Sequence, residues 1–149
     1  MIEIREASVT SKEAVQLIDE LSAILEKVTG SSGNASFHID ALKAPRTIFV
    51  IAYSDGKPIG CGALQNYSDD TAEIKRVYSR IEGRGIGTQI LRILEGYAYS
   101  YRYREIVLET RKVNMTAIRF YQRRGYQICP NYGKYTLHEE AVCFCKSIV

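Results

Sequence analysis

A short glycine-rich segment is the first part of the sequence whose residue types could bind a ligand. It reads Gly83-Arg84-Gly85-Ile86-Gly87, followed by Thr88, and lies between a predicted strand and a predicted helix. Glycines let the chain turn with backbone N–H groups pointing inward, and the start of a helix adds the positive end of its dipole. Together these features form a cradle suited to an anion such as a pyrophosphate. A tight connection that binds nothing would have the same composition, so this segment alone is a weak indication.

Two other phosphate-binding patterns fit the segment poorly. A P-loop requires Gly-Lys followed by Ser or Thr, whereas Gly85 is followed by Ile86 and Gly87 by Thr88. The dinucleotide-binding fingerprint, counted from Gly83, requires glycine or alanine where Thr88 stands. Both patterns are therefore disfavoured.

A second group of residues lies on a predicted helix further along the chain. Its members are Asn114, Ala117, Phe120, Tyr121, Gly125 and Tyr126. Asn114 and Tyr121 are two helical turns apart, so both side chains lie on one face of the helix. An isolated Phe-Tyr pair is more often part of a hydrophobic core. This group becomes informative only in combination with the glycine-rich segment.

The elements that must position these two groups indicate one α/β domain over residues 1–149, with a mixed sheet covered by helices. Hydrophobic periodicity predicts helices that begin after Ser11, near Ile86 and at Asn114. It predicts strands at 2–6, 47–53, 58–64, 72–79, 105–110, 126–129 and 141–148. Residues 31–45 form either a short second helix or a substrate-side loop. Regular alternation in 72–79 would put Glu73, Lys75, Val77 and Ser79 on one face of the strand, and Ile74, Arg76 and Tyr78 on the other.

Composition disfavours several classes of function. The 20 basic and 17 acidic residues give a net charge of +3, which is too mild to indicate a nucleic-acid-binding protein. The apolar runs are too short to span a bilayer, and the N-terminus lacks the features of a signal peptide, so we expect a cytoplasmic protein. No metal site is predicted, because the four cysteines lack CxxC spacing and His38 and His138 complete no ligand set.

The two groups in this order resemble the GNAT superfamily of N-acetyltransferases. The resemblance covers about Glu73 to Tyr126, with a glycine loop that opens one helix, then a strand, then the helix Asn-x-x-Ala-x-x-Phe-Tyr-x-x-x-Gly-Tyr. It implies a mixed, mostly antiparallel sheet flanked by helices and splayed between the fourth and fifth strands. It also implies that the acetyl group of acetyl-CoA enters that cleft.

The resemblance further implies roles for individual residues. Backbone groups of the fourth strand would bond the pantetheine arm of acetyl-CoA, here at Val77, Tyr78 and Ser79. The pyrophosphate would lie at the loop residues Gly83, Arg84, Gly85, Ile86, Gly87 and Thr88. Asn114 would bond the cofactor arm, and Tyr121 would lie near the thioester sulfur and protonate the leaving thiolate. Metal or other cofactors are not implied.

Catalysis also requires that the attacking amine lose a proton to a base or a water chain. Glu73 is the first candidate for that base, because it starts the same strand. An ordinary carboxylate paired with Lys75 or Arg76 is an equally good interpretation of Glu73. Glu109, on the fifth strand, is a second candidate.

The loop departs from the family pattern in one place. The family usually has Arg or Gln where this chain has Glu82, so a side-chain donor for phosphate is lost. Arg84 lies between two loop glycines and Arg80 lies just before the loop. We expect Arg84 to compensate, because a guanidinium can bond two phosphate oxygens at once.

The leading hypothesis is an acetyl-CoA-dependent N-acetyltransferase that acts on the amine of a small molecule. A catalytically silent acyl-CoA-binding regulatory module and a protein N-acetyltransferase are the alternatives. The residues that would recognise the acceptor lie in 30–46 and 130–138, where Tyr132 and Tyr135 either line the cleft or pack as a lid. The oligomeric state is left open, with a homodimer as one option.

Overall fold

Seven strands and three α-helices make up the regular structure. The computed structural model describes residues 1–149, apart from the side chain at position 35. The elements in chain order are β1 (Ile2–Glu6), α1 (Lys12–Thr29), β2 (Ile48–Ser54), β3 (Lys57–Asn66), β4 (Thr71–Ser79), α2 (Ile86–Ser100), β5 (Glu105–Arg111), α3 (Met115–Arg123), β6 (Gln127–Cys129) and β7 (Ala141–Ser147). Short 3₁₀ turns lie at Asn34–Ser36, Ile39–Lys43 and Gly133–Tyr135. Residues 31–45, for which the sequence predicts either a short helix or a loop, therefore contain two such turns.

The strands form one sheet in the order β1-β2-β3-β4-β5-β7-β6. Neighbouring strands are antiparallel except for β4 and β5, which run parallel. That parallel pairing joins Thr71–Glu73 to Glu105–Val107 and then stops, although β4 continues to Ser79 and β5 to Arg111. The prediction of a mixed, mostly antiparallel sheet splayed between the fourth and fifth strands is confirmed.

Local sequence signals explain where several elements begin and end. Ser11 caps α1, because its hydroxyl accepts a hydrogen bond from Ala14 N at 3.3 Å. Gly30 ends the same helix in the left-handed conformation, with φ of 80°. Asp55 and Gly56 join β2 to β3 with φ of 50° and 81°, as a two-residue hairpin turn with two left-handed positions requires.

Two apolar layers hold the helices against the sheet. One layer lies under α1 and includes Leu17, Phe49 and Ile51. The other lies under α2 and α3 and includes Ile90 and Leu94. No helix in the described structure is both long and apolar enough to cross a membrane.

Close packing of α2 on the sheet depends on Gly62 of β3. A Cβ atom at Gly62 would lie 2.7 Å from Ile90 Cγ2 and 2.9 Å from Leu94 Cδ1. Both distances are shorter than a van der Waals contact, so only glycine allows this approach. Because α2 begins at the glycine-rich loop, this contact also fixes the loop relative to β4.

Candidate active site

The splay of β4 and β5 opens a cleft in the middle of the sheet. Beyond Glu73, the edge of β4 that faces β5 has no partner strand, so its N–H and C=O groups are available to an extended ligand. The cleft encloses about 140 Å³, several times the roughly 30 Å³ of one water molecule. It is lined by β4, β5, α3, the second half of α1 and the segment that follows α1.

A β-bulge at Arg76 changes which side chains of β4 face each side of the sheet. Arg76 has a φ of 59°, and the register with β3 shifts between Cys61 and Ala63. The Arg76 guanidinium lies 5.2 Å from the ring centre of Phe37, on the α1 side of the sheet. The prediction of regular alternation along this strand is therefore wrong beyond Lys75. An extra residue in one strand moves every side chain that follows it to the opposite face of the sheet.

The residues after the bulge reach both sides of the sheet. Val77 packs against the α2 layer and lines the cleft. Tyr78 packs against the α1 layer, and its hydroxyl donates to Glu20 Oε1 at 3.0 Å. Ser79 ends the strand, where its hydroxyl donates to the carbonyl of Ile81 at 2.7 Å. The cleft edge of β4 is therefore held by contacts on both faces of the sheet.

The glycine-rich loop forms an exposed turn that leads directly into α2. Gly83 and Gly85 have φ of 76° and 70°, so both occupy the left-handed region that favours glycine. Gly85 is the N-cap of α2 and supplies no side-chain acceptor. The N–H groups of Ile86, Gly87 and Thr88 consequently lack intrahelical partners. This arrangement suits a bound anion, because unpaired donors and the helix dipole coincide.

Three arginines surround this loop in different states. Arg80 is fully engaged: Nε donates to Glu20 Oε1 at 2.7 Å, Nη1 donates to the Pro58 carbonyl at 2.8 Å, and Nη2 pairs with Glu20 Oε2. Arg84 is exposed, and no ion pair or hydrogen bond of its side chain occurs within the described structure. The exposed arginine without a partner is thus the one predicted to bind phosphate.

The third arginine, Arg124, follows α3 and was missed by the sequence reasoning. Its Nε and Nη2 donate to Thr88 Oγ1 at 2.9 Å and 2.5 Å, and its guanidinium lies 4.3 Å from the ring centre of Phe120. The spacing of four residues between Phe120 and Arg124 was the available sequence signal for that stacking. The contact links the start of α2 to the end of α3 and adds a positive charge beside the loop.

Asn114 and Tyr121 both line the cleft, at the start of α3 and two turns later. Asn114 is the N-cap of α3, and its Oδ1 accepts from Ala117 N at 3.2 Å. The Tyr121 ring packs edge-on against Phe120 and Tyr126, with centroid distances of 5.1 Å and 5.7 Å. Burial raises the pKa of Tyr121 above its usual range, so the hydroxyl remains a proton donor at neutral pH.

Glu73 lies beside the cleft, in a hydrogen-bonded cluster on the α1 face of the sheet. Its Oε2 accepts a hydrogen bond from the Tyr132 hydroxyl at 2.5 Å and lies 3.6 Å from Lys75 Nζ. Lys75 Nζ in turn donates to the Tyr135 hydroxyl at 2.8 Å. Tyr132 and Tyr135 therefore pack onto β4, which favours the lid over the cleft-lining alternative.

Glu109 lines the cleft from β5 and has an unusual carboxyl environment. Burial is the main reason that its pKa is raised to about 7, while Arg111 and Lys75 act in the opposite direction. Arg111 Nη1 lies 3.3 Å from Glu109 Oε2, yet this buried oxygen accepts no hydrogen bond. A carboxyl in this state can exchange a proton near neutral pH.

Clusters of metal ligands are absent from the described structure. No group of three or more His, Cys, Asp or Glu side chains there could hold a metal ion. The four cysteines are free thiols.

Comparisons with known proteins agree with this geometry. A model of the Acetyltransferase (GNAT) family matches residues 14–126. The chain is 29% identical over 124 residues to the IAA acetyltransferase of Azospirillum brasilense, and the match covers 81% of each chain.

Solved structures share the fold over almost their whole length. A crystal structure described as an acyl-CoA N-acyltransferase from Klebsiella pneumoniae superposes with a TM-score of 0.84 and 26% identity, covering 100% of this chain and 99% of that one. A GNAT family acetyltransferase from Elizabethkingia anophelis, determined with acetyl-CoA bound, has a TM-score of 0.71 and 19% identity, covering 98% and 97%. The family match includes the glycine-rich loop, the splayed strands and the helix that carries Tyr121. The chain belongs to the GNAT family and is an acyltransferase.

Proposed function

We propose that the protein transfers an acetyl group from acetyl-CoA to the amine of a small molecule by direct attack of the amine on the thioester. Family membership and the acetyl-CoA bound to the Elizabethkingia relative support the identity of the donor. The small cleft, bordered on the α1 face by residues 31–37, supports a small acceptor over an extended peptide.

The residues of this chain fit acetyl-CoA at three places. The free edge of β4 at Val77, Tyr78 and Ser79 would bond the pantetheine arm. The glycine loop and the unpaired N–H groups of α2 would hold the pyrophosphate, with Arg84 as the side-chain donor. Asn114 lies where it would contact the arm from the other wall of the cleft. Acetyl-CoA supplies an activated acyl group, and the chain orients it between the two strands.

The observation that carries the proposal is the buried carboxyl of Glu109 in the cleft. The amine must be neutral to attack, so a base must take its proton. Glu109 has a pKa of about 7 and lines the cleft, whereas Glu73 is held by Tyr132 and Lys75. We therefore assign the proton acceptor to Glu109 and keep Glu73 as the alternative.

Two further groups of the cleft would assist the transfer. Unpaired N–H groups on β4 would stabilise negative charge on the thioester oxygen, as fixed donors do most effectively in a site from which water is excluded. Tyr121, which burial keeps protonated, would donate a proton to the departing thiolate from α3.

The proposal is tested by binding and by turnover. Saturating acetyl-CoA should raise the melting temperature, since a ligand that binds only the folded state stabilises it. A panel of amino acids, polyamines, aminoglycosides and peptide N-termini should then reveal an acceptor through release of CoA. Binding without release in the presence of any of these amines would favour the silent regulatory module. Acetylation of peptides alone would favour the protein N-acetyltransferase.

A further inference from the structure

Arg76 is a buried positive charge in the wall of the cleft. Its side chain lines the cleft, and the residue is only 7% exposed. Nη1 donates to the Ser32 carbonyl at 3.2 Å and Nη2 donates to Asn34 Oδ1 at 2.8 Å, while Nε has no partner. A guanidinium carries five N–H donors, so three of them remain available.

Arg76 also lacks a counter-ion in the described structure. Arg76 takes part in none of the ion pairs of the described structure. The carboxylates of Glu20, Glu73 and Glu109 pair instead with Arg80, Lys75 and Arg111. Burying an unpaired charge is costly, and an arginine cannot escape that cost by deprotonation. Such a charge in a ligand cleft indicates that the counter-ion arrives with the ligand.

The surroundings of Arg76 hold its guanidinium in place. Asn34 Oδ1 accepts from Arg76 and also from the hydroxyl of Ser22, a buried residue of α1, at 3.0 Å. The ring of Phe37 supports the guanidinium from one side. A fork fixed in this way can bond both oxygens of a carboxylate.

Arg76 and Glu109 lie on the same face of the sheet, across the opening between β4 and β5. Lys75 pairs with Ala63, which belongs to the α1 layer, and Glu73 pairs with Val107. Glu109 follows Val107 by two residues, so it shares that face. The glycine loop starts α2, which packs on the opposite face. The α1 side of the cleft therefore presents Glu109 and Arg76 to the acceptor. The other two basic residues in its lining, Lys75 and Arg111, pair with Glu73 and Glu109.

We propose that the acceptor is an amino-carboxylate, whose amine lies at Glu109 and whose carboxylate is bound by Arg76. This inference rests on the proposed acetyl transfer and specifies its substrate class. The charges of the acceptor and of the cleft are then complementary: the basic group of the protein faces the acid of the substrate, and the carboxyl of the protein faces the amine.

The experiment compares matched acceptors in a CoA-release assay. L-α-amino acids and short ω-amino acids are each tested beside the corresponding primary carboxamide, with alkylamines and polyamines in the same panel. For the best acceptor, kcat/KM should exceed that of its carboxamide by about 10- to 100-fold, since one charge-assisted hydrogen bond contributes that much. Arg76→Gln should remove this preference, so that the variant uses the amino-carboxylate and its carboxamide with similar kcat/KM.

Asn34→Asp tests the same contact with an isosteric change. The new carboxylate would pair with Arg76 inside the protein, so the KM for the amino-carboxylate should rise about tenfold or more while the carboxamide is unaffected. Arg92→Gln is the matched control, because Arg92 is exposed on α2 outside the cleft, and it should leave the preference unchanged. If Arg76→Gln fails to fold, Arg76→Lys and Asn34→Asp provide the comparison.

The outcomes separate this inference from the proposed function. Equal kcat/KM for carboxylates and carboxamides, or acetylation of alkylamines and polyamines alone, would overturn the inference and leave acetyl transfer intact. An unchanged preference in both Arg76→Gln and Asn34→Asp would also overturn it. Acetyl-CoA binding without CoA release for any amine would contradict acetyl transfer itself and remove the basis of the inference.

Discussion

Replacing Glu109 with Gln should make the protein more stable at neutral pH. The folded state holds the pKa of Glu109 at about 7, above the usual value of 4.5. Between these values the folded chain binds more protons than the unfolded chain, so this group lowers stability as the pH rises from about 4.5 to 7. One pKa unit corresponds to about 1.4 kcal/mol, so the shift from 4.5 to about 7 amounts to about 3.5 kcal/mol above pH 7. Gln keeps the shape of the side chain and removes the ionisation.

The same substitution should slow acetyl transfer. Loss of a general base typically reduces the rate by about 10²- to 10⁴-fold. In the parent protein, kcat/KM should fall as the pH drops below about 7, because Glu109 becomes protonated. The Glu109→Gln variant should lack this decrease and retain only the pH dependence of kcat/KM that comes from ionisation of the amine itself. Acetyl-CoA affinity should stay close to that of the parent.

Two measurements decide the role of Glu109. Urea denaturation near pH 4.5 and near pH 8 should give a stabilisation of Glu109→Gln only at the higher pH. In pH profiles of kcat/KM, only the parent should show the fall below about pH 7. Glu73→Gln is the control, because Glu73 lies on the same face but is bonded to Tyr132. A parent-like rate profile in Glu109→Gln, together with loss of the decrease in Glu73→Gln, would refute the assignment to Glu109.

Three further predictions concern other parts of the site and its support. Tyr121→Phe should keep acetyl-CoA affinity and reduce kcat by about 10²- to 10⁴-fold, and unchanged turnover over the full pH range would mean that Tyr121 only packs. Arg84→Ala should weaken acetyl-CoA binding about tenfold in calorimetry, with turnover at saturation little changed; the loss should shrink at high salt, and parent-like affinity at low salt would leave the backbone to act alone. Gly60→Ala should destabilise the fold by about 1–3 kcal/mol, because its Cβ would lie 2.6 Å from the carbonyl oxygen of Tyr78. The control for Gly60→Ala is Gly96→Ala, on an open helical face, which should be neutral or stabilising by up to about 1 kcal/mol in urea denaturation.

The sequence was most informative where structure depends on neighbouring residues. Ser11 and Gly30 delimit α1, and Asp55-Gly56 forms the hairpin turn, because caps and tight turns are specified by a few adjacent residues. The glycine loop and the Asn114–Tyr121 spacing could be identified for the same reason. Their order along the chain sufficed to predict the family and the splayed sheet, which the structure and the family match confirm.

The state of each functional group was decided by contacts between distant parts of the chain. By its sequence position Arg80 could bind phosphate, but its guanidinium is bonded to Glu20, which lies 60 residues away along the chain. The pKa of Glu109 depends on burial between two strands and on charges from other elements. Regular alternation would put Arg76 on the same face as Ile74, but the bulge turns its side chain to the other face and buries the guanidinium in the wall of the cleft. Desolvation and ion pairing arise only when segments pack together, and the identity of a residue does not specify its surroundings. The chemistry available at the cleft therefore follows from tertiary structure, whereas the residue types that could perform it are already present in the sequence.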